Sequence, residues 1–391
     1  MSKMNALEKK SAIAIAFMIA LRMYGLFLIL PVFSVYAVDI DGATPLLVGL
    51  AIGVYGLTQA LLQIPMGFLS DVWGRKKVIA LGLCLFALGS VVAALADDIF
   101  WIIVGRLIQG MGAIAATGLA LVADVSRPEQ RGKMMAIVGS SIGLSFMLAF
   151  ISGPILAAQF GLSGLFWFTA SLAVAALLVL IFVVEEPEKL AARDYSFKEL
   201  LHCIKLKPLM MMDFGVFALH ASMTALFLVL PLVLVQNFNF ELAHHWRLYL
   251  PVLVLSIGIM VPLIIAQEKL KNHMQMMSAA FLLLSGSLML LNLVHANFWL
   301  LAVYLVAYFG LFNYLEASMP SVISKIAAEK YRGAAMGVFA TSEFIGAFVG
   351  GALGGYLLSL NRDYVLSAAA GLLLVAALFG FKLFGLKRVS N

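Results

Sequence analysis

The chain has 391 residues, of which 63% are hydrophobic and 12% are charged, and its mean hydropathy is +1.04. Soluble globular proteins carry charge on about a quarter of their residues, so this composition excludes them and indicates a polytopic membrane protein. In a membrane protein the positions of Lys and Arg relative to the bilayer matter more than their sum, so the net charge of +6 does not indicate nucleic-acid binding. No nucleic-acid partner is expected. The two cysteines, Cys84 and Cys203, indicate neither a disulfide framework nor a cysteine-based metal site.

Twelve apolar runs are long enough to cross a bilayer, which takes about 20 helical residues. We number them spans 1 to 12, at residues 11–36, 46–69, 78–96, 98–123, 134–157, 164–184, 208–236, 247–266, 276–294, 297–322, 334–360 and 364–386. Span 1 is too long for a signal-peptide core, so we keep it as a mature helix. The sequence predicts an all-α membrane protein with a six-helix bundle at 1–184, a charged cytoplasmic linker at 185–207 and a second bundle at 208–391.

An internal repeat supports the division into two bundles. Arg131, Gly132 and Met135 lie around the start of span 5, and residues of the same types return 201 positions later, around the start of span 11, at 332, 333 and 336. Gly153 returns at the same offset as Gly354. A register that is kept from loop into helix indicates two homologous halves, as in transporters built from parallel repeats.

The basic residues predict the orientation of the chain in the membrane. Of the 26 Lys and Arg residues, 22 fall at the two termini or in the loops that follow even-numbered spans. The opposite loops hold only Arg247 and Arg362. Because cytoplasmic loops carry an excess of positive charge, we expect both termini to be cytoplasmic.

A charged, glycine-punctuated loop joins spans 2 and 3. From Gly67 to Lys77 it reads Gly-Phe-Leu-Ser-Asp-Val-Trp-Gly-Arg-Lys-Lys. Gly67 and Gly74 allow a tight turn, while Asp71 and Arg75 supply opposite charges that can form a charge-assisted hydrogen bond. The loop therefore predicts a helical hairpin whose turn is held by ionic contacts.

This loop resembles the signature between helices 2 and 3 of the major facilitator superfamily, with Val72 where that family usually has a basic residue. The resemblance implies two six-helix bundles that work by alternating access. It also implies a gating latch, formed by Gly67, Asp71, Gly74 and Arg75 with Asp124 as acidic partner, that stabilises the outward-facing state. Asp124 could instead be an ordinary solvated charge at the end of span 4.

Three further motifs resemble signatures of the drug/proton antiporter subgroup of that family. Span 1 has Gly25 and Pro31 with five residues between them, and span 5 has Gly153-Pro154 among small residues. A proline kink and close helix packing are the plainer explanations of these two motifs. In span 4, Arg106 is followed by Gln109 and Gly110, a pattern that the resemblance associates with proton coupling, although Arg106 could also snorkel to the outer interface.

Acidic, basic and histidine residues inside the spans are few, and spans 3, 6, 9 and 12 have no ionised side chain in their interiors. Charges within a span face a bundle interior or a watery cavity. In the major facilitator fold, helices 1, 4, 7 and 10 line the cavity, which agrees with this distribution. The residues are Arg22, Arg106, Asp213, His220, Glu316 and Glu343.

For proton coupling we expect a carboxylate of the second half, Glu316 or Glu343, with Arg106 or Arg22 as the positive counterpart. The two acids lie roughly 9 and 13 Å from the inner ends of their helices at 1.5 Å per residue, so they are at similar depth. A proton bound there could load from one side and leave on the other. The alternative is that each acid is structural and hydrogen-bonded across a helix interface.

Polar and aromatic residues at similar depth are candidates for a substrate cavity, although each could instead pack helices. His220 by itself is more often a hydrogen-bonded structural histidine. No His, Asp or Glu spacing indicates a metal site, and no cofactor is expected. The candidates are Tyr24, Gln109, Asp213, His220, Tyr308, Phe312, Asn313 and Tyr314.

The sequence therefore predicts a secondary transporter of the bacterial inner membrane that exports amphipathic or drug-like molecules in exchange for protons. We expect a monomer whose partners are its small-molecule substrate, protons and the lipid bilayer. An importer of a sugar or other polar metabolite is the alternative, but its cavity should show more Asn, Gln, Trp and acidic groups. A channel is disfavoured, because two asymmetric halves with a gated latch are better suited to the rocking motion of a carrier.

A membrane-embedded enzyme is disfavoured because the chain has neither Gly-x-Ser-x-Gly nor His-Glu-x-x-His. Within the superfamily, the chain is most similar to a type of transporter with a small soluble domain after helix 12. Because the sequence ends at Asn391, we expect no function of that domain here.

Overall fold

The computed structural model describes residue 4, residues 6–185, residue 199, and residues 203–270, 272–293, 297–328 and 331–389. Eleven helices in these ranges are long and apolar enough to cross a membrane. One of them, Glu129–Phe182, has 54 residues and would be about 80 Å long at 1.5 Å per residue, more than twice the thickness of the hydrocarbon core. It is interrupted at Gly161, where φ is 67° and ψ is −175°, so it contains two spans.

The predicted all-α, twelve-helix architecture is confirmed, and we label the spanning helices α1 to α12. The fourth is in two parts, and the fifth and sixth are the two halves of Pro128–Phe182. The helices are α1 Ala6–Phe27, α2 Pro45–Trp73, α3 Arg75–Ala94, α4 Ile99–Met111 with Ala115–Asp124, α5 128–160, α6 162–182, α7 Lys207–Phe238, α8 Trp246–Leu270, α9 His273–Leu293, α10 Phe298–Ile326, α11 Arg332–Leu360 and α12 Arg362–Val389.

The first span differs from the prediction of one helix over residues 11–36. Helix α1 ends at Phe27, and a separate short helix, Phe33–Tyr36, follows the interruption. The reason is Pro31, which has no N–H to donate to the carbonyl of Phe27, so Leu30 N donates to that carbonyl instead, at 3.3 Å. The proline therefore breaks this helix rather than bending it.

The second difference is a break in α4, which the sequence predicts as continuous over 98–123. Gly112 ends the first part with ψ of 46°, and the second part starts at Ala115. Gly112 also lies so close to Gly82 of α3 that a Cβ on either residue would collide with the other segment. The break leaves the Gly112 carbonyl available to a side chain.

The described residues group into two compact units. The first unit consists of those within Met1–Ala43 and Val54–Asp194, and the second of those within Thr44–Gly53 and Tyr195–Asn391. Most of the predicted linker, 186–198 and 200–202, lies outside the described residues. The two-bundle division at 1–184 and 208–391 stays a prediction.

Candidate functional site

The turn between α2 and α3 depends on Gly74. Its φ of 99° and ψ of 147° fall in a region that is essentially restricted to glycine. Gly67, earlier in the same motif, is helical, and a Cβ there would meet no described atom within 4 Å. Only one of the two motif glycines is thus required by backbone geometry.

This difference gives a first prediction. Gly74→Ala should destabilise the protein by about 1–3 kcal/mol, because alanine is strained at that backbone conformation. Gly67→Ala should change stability by less than about 0.5 kcal/mol, since it fills open space in a helix. Thermal unfolding of both purified variants in the same detergent checks this, and equal losses would contradict it.

The residues predicted to form a latch, Asp71, Arg75 and Asp124, lie together in the first unit. Arg75, at the start of α3, forms an ion pair with Asp71, which is four residues earlier near the end of α2, and its Nε donates to Asp124 Oδ2 at 2.8 Å. Its Nη1 also donates to Ser70 Oγ at 2.6 Å. The side chains of Arg75 and Asp124 are 1% and 0% exposed, so Asp124 is not a solvated charge. Ser70, which also binds Arg75, was not among the predicted latch residues.

A second polar group, which we call the arginine cluster, consists of Arg22, Tyr55, Gln59, Arg106 and Gln109. Arg22 Nη2 donates to Tyr55 Oη at 2.7 Å and to Gln59 Oε1 at 3.1 Å. Arg106 Nη1 donates to Gln109 Oε1 at 2.8 Å, and its guanidinium lies 5.0 Å from the centre of the Tyr55 ring. Both guanidiniums therefore contact Tyr55.

The breaks and close contacts of the helices position this cluster. Arg22 Nη2 also donates to the carbonyl of Gly112, at 3.0 Å, which the break in α4 makes available. Gln109 Nε2 donates to Ser90 Oγ of α3 at 2.7 Å. A Cβ on Gly110 would collide with Tyr55 and Thr58, so glycine lets α4 approach α2 closely. Arg106 is 5% exposed, so it does not snorkel to the interface.

A third group, which we call the acid–histidine cluster, lies in the second unit and consists of His220, Glu316 and Glu343. His220 Nε2 is 3.4 Å from Glu343 Oε1 and 4.0 Å from Glu316 Oε2. His220 Nδ1 is 3.3 Å from the carbonyl oxygen of Val216. The structure thus brings the two predicted carboxylates to one imidazole nitrogen.

Ligand atoms of the same three residues lie within 4.8 Å of one another, so these groups could also hold a metal ion. The sequence predicts no metal site here, because the three residues come from α7, α10 and α11 and have no characteristic spacing. The donor set is one imidazole and two carboxylates, and protein sites of this composition bind divalent cations such as Zn²⁺.

The predicted cavity residues fall into different surroundings. Phe312 lies against the His220 ring at 5.8 Å and stacks on Tyr308, whose hydroxyl hydrogen-bonds to Ser222. Asn313 and Tyr314 contact α8 instead, through Ser256 and Gln267. The structure therefore places only Tyr308 and Phe312 beside the acid–histidine cluster.

Two other candidates lie apart from the clusters. Tyr24 hydrogen-bonds to Ser152 of α5 at 2.7 Å. Asp213 lies near Cys203, where burial raises the pKa of the thiol and the negative charges of Asp213 and Glu199 raise it further. Asp213 lies in the first two turns of α7, which begins at Lys207, and precedes His220 by seven residues.

The motif residues of spans 1 and 5 contact each other. A Cβ on Gly153 would lie 2.8 Å from the Leu28 carbonyl oxygen and 3.5 Å from Pro31 Cγ. Gly25 lies against Thr169 of α6, whose Oγ1 donates to the Gly25 carbonyl at 3.1 Å. Pro154 is inside the helix next to this contact. Gly25, Pro31 and Gly153 thus lie where helices approach closely.

Comparison with known proteins decides the family. A family model described as Major Facilitator Superfamily matches residues 15–315. The chain belongs to the major facilitator superfamily. It is 40% identical over 359 residues to the inner membrane transport protein YajR of Escherichia coli (strain K12), which covers 91% of this chain and 79% of that protein. The predicted family, and the similarity to YajR-type transporters in particular, are confirmed.

Two further matches agree with this family. Quinolone resistance protein NorA of Staphylococcus aureus is 24% identical, with 93% of each chain covered. The structure of a bacterial homologue of the human lysosomal transporter Spinster has a TM-score of 0.80 at 14% identity and covers 97% of each chain. The chain is therefore a multi-pass membrane protein of a secondary transporter family, and this is not an enzyme family.

Two neutral members of the arginine cluster, Tyr55 and Gln59, were not among the predicted site residues. Tyr55 and Gln59 are separated from Arg22 by 33 and 37 residues, so no local spacing connects them. One signal was present, because Gln59 and Gln63 are polar, lie one helical turn apart and stand in an otherwise apolar span. Such a pair in a membrane helix indicates a buried hydrogen-bonding partner.

Proposed function

We propose that this secondary transporter exports amphipathic or drug-like small molecules by alternating access, in exchange for protons. The observation that carries the proposal is the acid–histidine cluster, in which two carboxylates converge on one imidazole nitrogen. The relative NorA supports the substrate class, since that protein is named for quinolone resistance. The exchanged proton would be bound in this cluster.

The hydrogen bonding of His220 supports a shared proton. The Val216 carbonyl can only accept, so its hydrogen bond to Nδ1 requires the proton of the neutral imidazole to be on Nδ1. Nε2 then presents a lone pair to the Glu343 carboxylate at 3.4 Å, which is repulsive unless one more proton lies between them. Loss of that proton would increase the net negative charge of the cluster, which has two carboxylates for one imidazole.

Purified protein in proteoliposomes tests the proposal, with a fluorescent quinolone as the substrate. Accumulation of the quinolone inside vesicles with an acidic lumen, abolished when nigericin collapses the pH gradient, is the expected result. Accumulation of a labelled sugar driven by acid outside would instead favour the importer. Flux that depends on a Zn²⁺ gradient and not on pH would favour cation coupling through the same cluster.

We also propose that both termini and the loop containing Lys133 are cytoplasmic, as the distribution of basic residues indicates. In a variant without Cys84 and Cys203, a cysteine at Lys133 or Lys198 should be protected from an impermeant maleimide in intact cells. A cysteine at Asn361, which is exposed, should be labelled. The reverse pattern would show that the predicted orientation is wrong.

A further inference from the structure

The acid–histidine cluster has the spacing of a three-ligand metal site. His220 Nε2 lies 3.4 Å from Glu343 Oε1 and 4.0 Å from Glu316 Oε2. Two ligand atoms that are each about 2.0 Å from one tetrahedral Zn²⁺ ion lie about 3.3 Å apart. The first distance already matches this value. Glu316 is 38% exposed, so its side chain has room for the small movement that would bring the second distance to it.

The orientation of His220 also suits metal binding. Its Nδ1 lies 3.3 Å from the carbonyl oxygen of Val216, which can only accept, so Nδ1 carries the proton and Nε2 presents a lone pair to the two carboxylates. Metal-binding histidines are commonly held in this way, because a hydrogen bond from the other ring nitrogen fixes the tautomer and the ring orientation. His220 is buried, and the Phe312 ring lies against it with 5.8 Å between the ring centres. The lone pair of Nε2 therefore has a fixed direction.

The three ligand atoms are acceptors that face one another. In the part of the chain that the structure describes, the ion pairs of Glu316 and Glu343 are both with His220, and Glu316 Oε2 is buried with no hydrogen-bond partner. One proton can lie between only two of the three atoms, and it leaves one carboxylate charge without compensation. A divalent cation contacts all three atoms and balances both charges. It therefore satisfies this set of acceptors more completely than one proton does.

The donor set indicates the class of ion. Mg²⁺ and Ca²⁺ take oxygen ligands, whereas an imidazole nitrogen suits transition metals such as Zn²⁺. We infer that the acid–histidine cluster binds a divalent transition-metal ion through His220 Nε2 and one oxygen each of Glu316 and Glu343. Three protein ligands leave a coordination position open to water or to a substrate group. Metal binding itself goes beyond the proposed function, but its effect on transport rests on that function, because the ion would occupy the position of the exchanged proton.

Zn²⁺ binding to the purified full chain tests the inference directly. The protein is prepared in detergent with an affinity tag that contains no histidine, and it competes with a fluorescent chelator for Zn²⁺. We expect one bound ion per chain, which Mg²⁺ in about a hundredfold excess does not displace, because Mg²⁺ prefers a site made of oxygen ligands alone. Zn²⁺ should also raise the midpoint of thermal unfolding, since it binds the folded state. No bound ion, or an ion that Mg²⁺ displaces, would overturn the inference.

Variants locate the bound ion, and their unfolding midpoints without Zn²⁺ show that each is folded. Glu316→Gln and Glu343→Gln keep the size of the side chain and remove its charge, so each should weaken Zn²⁺ binding by about tenfold or more. His220→Gln removes the nitrogen ligand and should weaken it at least as much. His244→Gln is the matched control, because His244 Nδ1 also lies 3.4 Å from a carboxylate, that of Glu241, but at an exposed site with a single acid. Wild-type affinity in the two acid variants, or loss of binding in the control, would overturn the inference.

Flux in proteoliposomes separates this inference from the proposed function. If Zn²⁺ binds the cluster and stops quinolone flux driven by pH, both are supported. Zn²⁺ binding at the cluster without flux driven by pH, or with such flux unchanged by Zn²⁺, would support the metal site and contradict proton exchange there. Flux driven by pH in a protein that binds no Zn²⁺ would overturn the metal site and support proton exchange.

Discussion

Replacing Glu343 by glutamine is expected to abolish the stimulation of transport by a pH gradient. Glu343 Oε1 is the carboxylate oxygen nearest to His220 Nε2, at 3.4 Å, and an amide there cannot exchange a proton. The ratio of flux with and without the gradient should fall to about 1, since the coupling between proton and substrate is lost. Substrate binding should remain, because the variant keeps the size and hydrogen-bonding capacity of the side chain.

Glu316 should contribute less than Glu343 to the stimulation of transport by the pH gradient. Glu316 Oε2 lies 4.0 Å from His220 Nε2, and Glu316 is more exposed than Glu343, at 38% against 26%. We therefore expect Glu316→Gln to reduce the gradient effect and the double variant to eliminate it. Glu268→Gln is the matched control, because it removes an acid of the same unit whose partner, Lys325, is at an exposed site.

Proteoliposome flux at several imposed gradients, together with quinolone binding in detergent, measures both properties for each variant. If both single variants and the double variant keep gradient-driven flux but yield less folded protein, the two acids are structural. That result would remove Glu316 and Glu343 from the coupling mechanism, whatever the substrate is.

Most of the fold could be predicted from the sequence, because each membrane helix requires a long run of apolar residues. The prediction was wrong where a helix is interrupted although its sequence remains apolar. Gly112 and the residues after it fit a continuous helix by composition, and only their contact with Gly82 of α3 explains the break in α4. Span 1 shows the same limit, since a proline in a run of apolar residues is compatible with either a kink or a break.

Within the candidate sites, the sequence predicted the pairs of residues that are close together along the chain. Asp71 and Arg75 are four residues apart across the turn between α2 and α3, and Arg106 and Gln109 are three residues apart on one helix, so spacing and motif resemblance identify these pairs. The partners that complete each site, such as Tyr55 for Arg106 and His220 for Glu343, come from other helices. Their proximity depends on helix packing and rotation, which a single sequence does not specify.

Loss of Arg75 is expected to be the most damaging change at the latch. Asp124 is fully buried, and Arg75→Gln would leave it without its ionic partner, which typically costs about 3–5 kcal/mol. Asp124→Asn in addition should restore part of this stability, because it removes the uncompensated charge. Thermal unfolding of the two single variants and the double variant gives the coupling between these residues.

Asp71 should behave differently from Asp124, and this difference tests whether the ion pairs act as a latch. Asp71 is 21% exposed, so Asp71→Asn leaves Arg75 bound to Asp124 and should cost little stability. If the pair stabilises the outward-facing state, as we propose, this variant should cut transport about tenfold while expression and quinolone binding stay near those of the wild type. Restored stability without restored transport in the Arg75–Asp124 double variant would agree with a latch. Wild-type flux in Asp71→Asn would show that these ion pairs only stabilise the packing of α2, α3 and α4 and do not act as a latch.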